Sequence, residues 1–374
     1  MSIIKVLHLR CSGALLGAEN VVLELSSSLS EKHGYQSIVG VLHDTRDPYP
    51  EIAEQAKMRN IPVHVFKTNK TIDLTCIRAI KNYIKKENID IVHTHGYRED
   101  IYASLTFTDA TKVATNHLWK KSNFTLKLYA FADSIFMMFF KKVIAVSQPI
   151  LDEMRAIPYL QNKNLSLIAN GIDTVRFSPE NKSTIRQELN IANDVIVMAT
   201  VSSLTTEKAH TYLLTALGKR LKIDSNFHLL IIGEGPQRSD IEKQIQQLHL
   251  AKHVTLLGKR NDIDKIHIGL DIYILPSLKE GLPMSLLEAM ACGTASIATN
   301  VGDIASCVID GDTGMLVEAG NSDAIYGAID ALISSPEKRK NIARAGNQII
   351  GKKFSNEKMI QTHAELYKTL LANN

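Results

Sequence analysis

The chain has little of what marks several classes of protein. Among its 374 residues there are four cysteines, with no CxxC pair and no histidines at zinc-site spacing from them: Cys11, Cys76, Cys292 and Cys307. The formal net charge is only +4 and no long Lys/Arg tract occurs, which argues against nucleic acid as a partner. No apolar run approaches the roughly 20 residues that a membrane-spanning helix needs. These shortages exclude a disulfide-stapled secreted domain, a zinc module and a nucleic-acid-binding protein.

The composition is that of an ordinary globular protein, with 45% hydrophobic and 22% charged residues. The first residues, MSIIKVLHLR, lead straight into a strand-like run, so no signal peptide is expected. We therefore expect a cytoplasmic protein with reduced, buried thiols. The length suits roughly two domains.

Short runs rich in β-branched residues alternate with longer amphipathic stretches along the whole chain. The strand candidates are IIKVLHL, YQSIVGVL, PVHVF, DIVHTH, KVATN, KVIAVS and LSLIAN, followed by DVIVMATVS, FHLLIIG, HVTLLG, DIYILPS, ASIAT and GMLVE. This alternation is typical of βαβ units with mostly parallel sheets. Because one sheet would need too many strands, the pattern predicts an α/β fold of two doubly wound, Rossmann-like domains.

The domain boundary is predicted near TVRFSPENKSTIR (174–186), where proline and polar residues interrupt the alternation. We place the domains at residues 1–178 and 179–354. The last helix, within 355–374, has no strand after it and is expected to pack back on the first domain. Parallel sheets bind ligands at the carboxyl ends of their strands, so function is expected in the loops that follow strands.

In the first half, two such loops contain candidate residues. Gly13 and Gly17 flank a turn into a helix, where glycine allows close backbone approach and the helix N-terminus favours an anion. An ordinary strand-to-helix turn fits these glycines equally well. His95, in HTHGYRED, and His117, in ATNHLW, each end a strand and are candidates to face a ligand cleft, with packed or capping histidines as the alternative. Neither has a partner at metal-ligand spacing, so no metal is expected.

In the second half, Lys208 lies at the start of a helix, where a cation opposes the helix dipole unless an anion neutralises it. It is therefore a candidate phosphate ligand, and a solvated lysine is the alternative. The stretch IIGEGPQ (231–237) lacks the third glycine of a dinucleotide fingerprint, because Arg238 occupies that place. A tight strand-to-helix turn accounts for it.

The stretch EGLPMSLLEAMAC (280–292) places Glu280 before a helix and Glu288 inside it. Proline suits the first helical position, and the amides of the first turn have no partners within the helix. A diphosphate fits that array of donors, and the carboxylates could accept hydrogen bonds from vicinal hydroxyls. The predicted contact residues at this helix start are Gly281, Leu282, Pro283, Met284 and Ser285.

The chain also contains a D-x-D, within DGDTG (310–314). Such a pair can hold a divalent ion on a diphosphate. Here Gly311 and Gly314 mark a turn before a strand, so a turn without metal is the preferred interpretation.

With these elements in order, the sequence resembles glycosyltransferase family 4, the retaining GT-B enzymes also called glycosyl transferases group 1. The resemblance runs nearly end to end through GAENVVLEL, DIVHTHG, VIAVSQPI, LIANGIDTVRFSP, EKAH, IIGEGP, VTLLGKRNDI, EGLPMSLLEAMACGTASIAT and DGDTGMLV. It implies a GT-B fold whose two Rossmann-like domains face a cleft. The first domain would bind the acceptor and the second a nucleotide-sugar donor, with no metal or other cofactor.

The resemblance also implies roles for single residues. Glu280 would hold donor-sugar hydroxyls, Glu288 the ribose, and Lys208 the diphosphate. Gly13 and Gly17 would close on the donor, while backbone around Gly258 to Arg260 would meet the base. His95, favoured over His117, would lie near the reacting sugar. The further acceptor-side candidates are His117, Tyr97 and Arg98.

One position departs from the family pattern. The family often has an arginine five residues before the lysine, and Ser203 stands there in this chain. Either helix amides and another basic residue cover the charge, or donor binding is weak. The possible substitutes are Lys259, Arg260 and Lys279.

The segment 120–142 combines five lysines with phenylalanines and methionines and has one acidic residue, Asp133. It is a candidate to lie on an anionic membrane surface and deliver a lipid-linked acceptor. The alternative is a buried helix with solvated lysines at its ends.

The resulting hypothesis is a retaining, metal-independent transfer of sugar from a nucleotide sugar, by base rate a UDP-sugar. The acceptor would be a glycan or a lipid-linked molecule in cell-surface polysaccharide or oligosaccharide synthesis. Two alternatives remain open: a nucleotide-sugar epimerase on the same fold, and an inactive nucleotide-sugar-binding partner subunit, which Ser203 motivates.

Overall fold

The computed structural model describes residues 3–11, 17–69, 72–117, 124–161 and 164–372. The chain divides into two compact units: unit 1 comprises Met1–Gly171 with Asn356–Asn374, and unit 2 comprises Ile172–Ser355. Each unit is a parallel sheet with helices connecting its strands. Two doubly wound α/β domains, predicted from the alternation of the sequence, are thus confirmed.

Unit 1 contains a seven-stranded parallel sheet in the order β3-β2-β1-β4-β5-β6-β7. Its strands are β1 (Lys5–Cys11), β2 (Gln36–Asp44), β3 (Val63–Thr68), β4 (Ile91–Thr94), β5 (Thr111–Asn116), β6 (Lys142–Ala145) and β7 (Leu165–Leu167). Its helices are α1 (Gly17–His33), α2 (Glu51–Met58), α3 (Leu74–Glu87), α4 (Tyr97–Ser104), α5 (Phe124–Phe136), α6 (Gln148–Arg155) and the C-terminal α14 (Asn356–Ala372).

Unit 2 contains a six-stranded parallel sheet in the order β10-β9-β8-β11-β12-β13. Its strands are β8 (Ile196–Val201), β9 (Phe227–Ile232), β10 (Val254–Gly258), β11 (Ile272–Leu275), β12 (Ala295–Thr299) and β13 (Met315–Val317). Its helices are α7 (Ile185–Glu188), α8 (His210–Leu221), α9 (Arg238–Gln247), α10 (Ile263–Ile268), α11 (Met284–Ala291), α12 (Ser322–Ser334) and α13 (Pro336–Lys353).

The helix ends follow ordinary capping chemistry. The Asp73 side chain accepts hydrogen bonds from the second and third amides of α3, and Asn321 does the same for α12. Ser335 caps α13, whose first residue is Pro336. α3 ends at Glu87 and is followed by Asn88, which adopts a left-handed conformation.

The C-terminal helix α14 packs on unit 1, where it covers the sheet beside α1. Met359, Ile360 and Tyr367 are buried in one cluster with Leu25 and Leu29 of α1. The Tyr35 hydroxyl donates to the Ala364 carbonyl at 2.7 Å. The chain therefore begins and ends in the same unit.

The two units divide between Gly171 and Ile172, seven residues before the boundary at 178/179 that the sequence suggested. The reason is that the connecting segment is bonded within unit 2. The Ile172 amide donates to the Phe354 carbonyl at 2.7 Å, and Arg176 pairs with Asp264 at 2.9 Å.

Candidate active site

In each sheet the strand order reverses between two neighbouring strands, β1 and β4 in unit 1 and β8 and β11 in unit 2. The loops after such a pair of strands diverge and leave a crevice at the carboxyl edge of the sheet, where ligands of doubly wound folds bind. The candidate residues Lys208 and Glu280 follow β8 and β11, and His95 follows β4. Sheet topology therefore places these residues at the crevices.

Lys208 and Glu280 form an ion pair in unit 2. The Lys208 Nζ lies 2.6 Å from Glu280 Oε1, with 23% of the lysine side chain and 8% of the glutamate side chain exposed. The buried Ser277 hydroxyl donates to the same carboxylate oxygen at 2.6 Å. A backbone bond from the Leu278 amide to the Glu207 carbonyl joins the two loops at 2.8 Å. The loops thus hold a cation and a carboxylate together at the crevice.

Gly302 fixes the backbone of the loop that carries Glu280. Its φ of +61° is left-handed, and a Cβ there would lie 2.4 Å from the Glu280 carbonyl oxygen, which leaves room for glycine alone. The neighbouring Asp303 amide donates to the Gly281 carbonyl at 2.9 Å. By contrast, a Cβ on Gly281 would meet open space. One side of this loop is therefore packed and the other is open.

Helix α11 begins directly after this loop, at Met284, with Pro283 in extended conformation and no side-chain cap. The first amides bonded to protein are those of Leu286 and Leu287, both to the Pro283 carbonyl. Among the residues that the structure describes, no acceptor faces the amides of Leu282, Met284 or Ser285. They form the donor array that the sequence predicted for an anion.

Tyr273, in β11, is hydrogen-bonded to the first turn of α11. Its hydroxyl donates to Ser285 Oγ at 2.8 Å, and its side chain is fully buried, which raises the pKa of the phenol. The Ser285 side chain is therefore held within the protein while its amide is directed to the helix end.

Glu288 lies within α11 and is partly buried. Burial raises the pKa of its carboxyl to about 7, the Arg176 guanidinium opposes this rise, and the Asp264 carboxylate adds to it. The nearest basic side-chain atom is Nε2 of the fully buried His267, 3.9 Å away and beyond hydrogen-bond range. Glu288 is thus a carboxyl group near its titration point at neutral pH.

Gly258 ends β10 with a left-handed φ of +66°, and a Cβ there would lie 2.9 Å from a Glu234 carboxylate oxygen. Arg260, two residues on, is bound to Glu188 at 2.6 and 3.0 Å and to Asp262 at 2.8 and 2.7 Å. These two carboxylates raise the pKa of the guanidinium further.

The candidates to replace the cation absent at Ser203 therefore differ. Arg260, suggested from the sequence, is already neutralised by Glu188 and Asp262, so the structure disfavours it. Lys259 and Lys279 are exposed, and no ion pair of either is found in the described part of the chain. Lys279 directly precedes Glu280, so it is the better placed of the two.

In unit 1 the two predicted histidines differ in exposure. His95 is 1% exposed, whereas His117, at the end of β5, keeps part of its surface. His95 Nδ1 lies 3.3 Å from His117 Nε2, so His95 lies behind His117. Both predicted glycines lie after β1: Gly17 is the exposed first residue of α1, and Gly13 lies outside the described residues.

A cavity of about 790 Å³, the unit 1 cavity, opens beside these histidines. Its wall includes the predicted residues His95, Tyr97, Arg98 and His117. An apolar part of the wall comes from α4 and α5, through Ile101, Leu128, Tyr129, Ala132 and Phe136. A cavity of this size suits a small ligand or part of a larger one.

Sequence reasoning missed an ionic network in the same wall. Arg10 Nε donates to Glu19 Oε1 at 2.8 Å, and Arg10 also donates to the His95 carbonyl. The Cys11 amide donates to Glu99 Oε1 at 2.6 Å, and burial raises the pKa of Glu99 although Arg10 opposes this. The charged Arg10 near the end of a buried strand and the run YRED at the start of α4 were the available signal.

Two further carboxyl groups of the cavity wall, those of Asp100 and Asp133, are almost fully buried. Burial and the neighbouring Asp133 raise the pKa of Asp100 well above its usual range. The raised pKa favours the protonated form of Asp100, and the two carboxyl groups join α4 to α5.

Three buried histidines of unit 1 are the described residues that could surround a metal ion. Ring nitrogens of His8, His93 and His95 lie within 4.8 Å of one another, close enough to surround an ion. However, His93 bonds Tyr367 at 2.6 Å and Thr115 at 2.7 Å through its two nitrogens. Burial and the neighbouring histidines lower the pKa of His95, and the positive charge of the Arg10 guanidinium adds to this. This donor set does not favour a cation.

The D-x-D of residues 310–314 forms a turn. Gly311 has a left-handed φ of +74° and its amide donates to the Gly314 carbonyl at 2.8 Å. Asp310 Oδ1 accepts from the Leu316 amide at 2.9 Å. One of the two carboxylates is therefore used to close the turn.

Part of the lysine-rich segment 120–142 lies outside the described residues, namely 120–123. The Lys141 ammonium donates to the Leu370 carbonyl at 3.0 Å and Lys142 to Asn164 Oδ1 at 2.5 Å, so these two charges are used within unit 1. The helix and the turn after it nevertheless expose Leu128, Phe131, Ile135, Met138 and Phe139. Within the described ranges, every helix is too short or too polar to cross a bilayer.

Comparison with known proteins gives two adjoining family matches. Residues 16–176 match the family described as Glycosyltransferase Family 4, and residues 181–349 match that described as Glycosyl transferases group 1. Together these ranges span both units.

Two curated relatives illustrate the similarity. The N-acetyl-alpha-D-glucosaminyl L-malate synthase of Bacillus anthracis is 25% identical over 81% of this chain and 80% of its own length. The UDP-Gal:alpha-D-GlcNAc-diphosphoundecaprenol alpha-1,3-galactosyltransferase of Escherichia coli is 24% identical over 99% of this chain and 98% of its own.

Two solved structures share the fold. A glycosyltransferase from Rickettsia africae ESF-5 superposes with a TM-score of 0.85, at 23% identity and full coverage of both chains. HepE of Anabaena, crystallised with UDP, superposes with a TM-score of 0.84 at 21% identity, over 98% of this chain and 100% of its own.

Proposed function

Because this chain belongs to the glycosyl transferases group 1 family, and carries a Glycosyltransferase Family 4 domain before the group 1 domain, it is a glycosyltransferase, and we propose that its donor is a UDP-sugar. The name of the E. coli relative specifies UDP-Gal, and HepE was crystallised with UDP. The donor would bind unit 2 at the crevice between the loops after β8 and β11. Gly258 and the backbone after it would contact the nucleotide base. Glu288 would accept hydrogen bonds from the ribose hydroxyls.

The observation that carries this proposal is the Lys208–Glu280 pair beside the uncapped start of α11. Breaking the bond between the anomeric carbon and the diphosphate puts negative charge on the leaving group. Lys208 and the amides of Leu282, Met284 and Ser285 would stabilise that charge more in the transition state than in the ground state. Glu280, held in place by the Ser277 hydroxyl, would accept hydrogen bonds from hydroxyls of the donor sugar.

We further propose that the transfer retains configuration and needs no metal. In this retaining mechanism the acceptor hydroxyl attacks the anomeric carbon from the same face from which the diphosphate departs. Charge on the diphosphate would then be neutralised by Lys208, the α11 amides and Lys279 rather than by a divalent ion. Support for metal independence comes from the D-x-D, whose Asp310 carboxylate closes its own turn.

The acceptor is proposed to bind unit 1, in the unit 1 cavity beside His117, Tyr97 and Arg98. The apolar wall from α5 suits an amphipathic molecule, and the E. coli relative is named for a diphosphoundecaprenol acceptor. A lipid-linked or glycan acceptor in cell-surface polysaccharide synthesis is the corresponding setting. The protein would act in the cytoplasm, at the inner face of the membrane where the acceptor is lipid-linked.

A nucleotide-sugar panel tests the proposal. The purified chain is incubated with each sugar nucleotide and an undecaprenyl-diphosphate-linked sugar, with and without EDTA, and nucleoside diphosphate release and product are followed. We expect release and product with one UDP-sugar, unchanged by EDTA, and an α-linked product from an α-linked donor. Epimerised donor without product, or donor binding without any turnover, would contradict the proposal.

A further inference from the structure

Three histidines of unit 1 form a continuous chain of ring contacts. His8 Nδ1 lies 3.2 Å from His95 Nε2, and His95 Nδ1 lies 3.3 Å from His117 Nε2. They come from three adjacent strands, since His8 lies in β1, His95 follows β4 and His117 follows β5. His8 and His95 are buried, and His117 is the partly exposed member in the wall of the unit 1 cavity.

The three rings are neutral at neutral pH. Burial lowers the pKa of His8 and of His117 to about 3, and burial with the neighbouring His93 lowers the pKa of His95 well below its usual range. A neutral imidazole carries one N–H and one nitrogen lone pair. Each of the two contacts in the chain therefore requires an N–H on one ring and a lone pair on the other.

The connectivity leaves two arrangements. Both contacts join an Nδ1 to an Nε2, so the rings are linked head to tail. Either all three carry the proton on Nδ1 or all three carry it on Nε2. A mixed set would turn two N–H groups or two lone pairs towards each other in a buried site, where an unmade hydrogen bond is costly.

We propose that His8 and His95 are positioning residues that set the tautomer of His117 and thereby determine what it offers to the sugar acceptor. His117 Nδ1 is buried and has no hydrogen-bond partner among the described residues. With the proton on Nδ1 throughout the chain, this atom donates a hydrogen bond; with the proton on Nε2, it accepts one. The ligand in this proposal rests on the proposed function, whereas the coupling of the three rings does not.

His93 is an internal control for the coupling. It is as buried as His8, and its ring centroid lies 4.2 Å from that of His95. However, its two nitrogens bond Tyr367 and Thr115, so it stands outside the chain of rings. A change in His93 should disturb the packing of this region without changing the tautomer of His117.

Nitrogen NMR of the full-length protein tests the coupling. The chain is labelled with ¹⁵N-histidine, its long-range ¹H–¹⁵N correlations are recorded at pH 7, and signals are assigned by replacing one histidine at a time. We expect one shared tautomer for His8, His95 and His117. His8→Leu should give His117 a mixture of tautomers, whereas His93→Asn should leave it single. Mixed tautomers in the wild-type protein would overturn the proposal.

His8→Asn provides a conservative variant, because its amide reaches the position of Nδ1 and can either donate or accept. It should fold if His8→Leu does not, and His117 should keep a single tautomer. With the substrates found in the donor panel, His8→Leu should lower kcat about tenfold, as loss of one hydrogen-bond constraint does, with the donor KM unchanged. Full turnover in His8→Leu would overturn the positioning role. Absence of transfer by the wild-type protein would instead contradict the proposed function and leave the shared tautomer standing.

Discussion

The Lys208 ammonium lies 2.6 Å from the Glu280 carboxylate although 72 residues separate the two along the chain. Glu280 Oε1 also accepts the Ser277 hydroxyl, so the carboxylate is held from two sides. In the described part of the chain, Lys208 uses one of its three N–H donors on this partner. The other two can reach phosphate oxygens, so Lys208 is a preorganised hydrogen-bond donor for a leaving diphosphate.

The first prediction is that Lys208→Ala lowers kcat by about 10²- to 10³-fold, the usual cost of losing one donor to a developing negative charge. The Ser277 hydroxyl still bonds Glu280 in this variant, so we expect little change in Tm. Glu280→Ala should abolish transfer, because the hydroxyls of the donor sugar lose the carboxylate that accepts their hydrogen bonds. Sugar transfer and thermal melts of the same preparations measure both effects.

Lys219→Ala is the matched control for this prediction. Lys219 is also a unit 2 lysine paired with a carboxylate, that of Asp323, but the pair is on the surface of α8 and α12. This variant should transfer sugar at the wild-type rate. Near-normal turnover by both Lys208→Ala and Glu280→Ala would end the assignment of the site.

The second prediction concerns Glu288, whose carboxyl pKa is raised to about 7 by burial. Only the ionised carboxylate can accept hydrogen bonds from both ribose hydroxyls. UDP affinity should therefore increase as pH rises through about 7 and level off above it. The folded-state pKa lies above the ordinary 4.5, so the contribution of this group to stability is present below pH 4.5 and is lost as pH rises to about 7. Calorimetric titration of UDP across this range measures the affinity change.

Glu288→Gln removes the titrating group and should flatten the pH dependence at a reduced affinity. Glu318→Gln changes an exposed carboxylate that accepts a hydrogen bond from Asn321. This variant should keep the pH dependence of UDP affinity seen in the wild-type protein. If the wild-type affinity is independent of pH, or if Glu288→Gln keeps the step, then Glu288 does not hold the ribose.

The third prediction uses the serine that stands where the family often has arginine. The Ser203 side chain is exposed, so an arginine fits there without displacing core residues. Ser203→Arg should tighten UDP-sugar binding about tenfold, as one charge-assisted hydrogen bond to a phosphate does. Lys279→Ala should weaken binding by a similar factor in the wild-type background and by less in the Ser203→Arg background.

Donor KM values for the wild-type protein, the two single variants and the double variant form a double-mutant cycle. Lys259→Ala serves as the comparison, since Lys259 is an exposed lysine after β10 that is not adjacent to Glu280. An unchanged KM in Ser203→Arg would mean that the diphosphate does not lie near residue 203.

The sequence predicted the strands and the two-domain class because each strand is a local apolar run between helical stretches. It also pointed to Lys208 and Glu280, since both follow strands. It did not predict that His8 bonds His95, because that contact depends on β1 lying beside β4, and strand order is not a local property. Likewise, Arg260 looked available until the fold brought Glu188 to it from 72 residues away.

The fourth prediction concerns membrane binding through α5 and the turn that follows it. Phe131 is 58% exposed and Phe139 60% exposed, which is unusual for side chains of this size. The chain should therefore float with anionic liposomes, and replacing both phenylalanines with serine should reduce the floated fraction several-fold. Because Lys141 and Lys142 are bonded within unit 1, we expect the binding to depend more on these apolar groups than on salt.

Ile223→Ser is the control for flotation, because Ile223 is 65% exposed but belongs to unit 2. It should float as the wild-type protein does. No flotation of the wild-type protein with anionic lipid at low salt would remove the membrane proposal, and full flotation of the double variant would show that another surface is responsible.

The fifth prediction is that unit 1 loses stability in mild acid. Burial lowers the pKa of five clustered histidines, to about 3 for His8 and His117, to about 4 for His363, and further in the same direction for His93 and His95. The unfolded chain takes up protons at these side chains near pH 6.5, while the folded unit does not. Their contribution is therefore present above pH 6.5 and is lost progressively as pH falls from there towards the folded-state values.

Hydrogen exchange followed by mass spectrometry at a series of pH values measures this loss separately in each unit, after correction for the intrinsic exchange rate. Protection of β1 and β4 should decrease between pH 6.5 and 4 by more than that of β8 and β11, because unit 2 contains fewer histidines with strongly lowered pKa, His210 and His267. His363→Leu should reduce the decrease in unit 1, whereas His33→Leu, at the end of α1 and outside the cluster, should not. Equal loss of protection in both units would mean that the histidine cluster does not determine the acid sensitivity of unit 1.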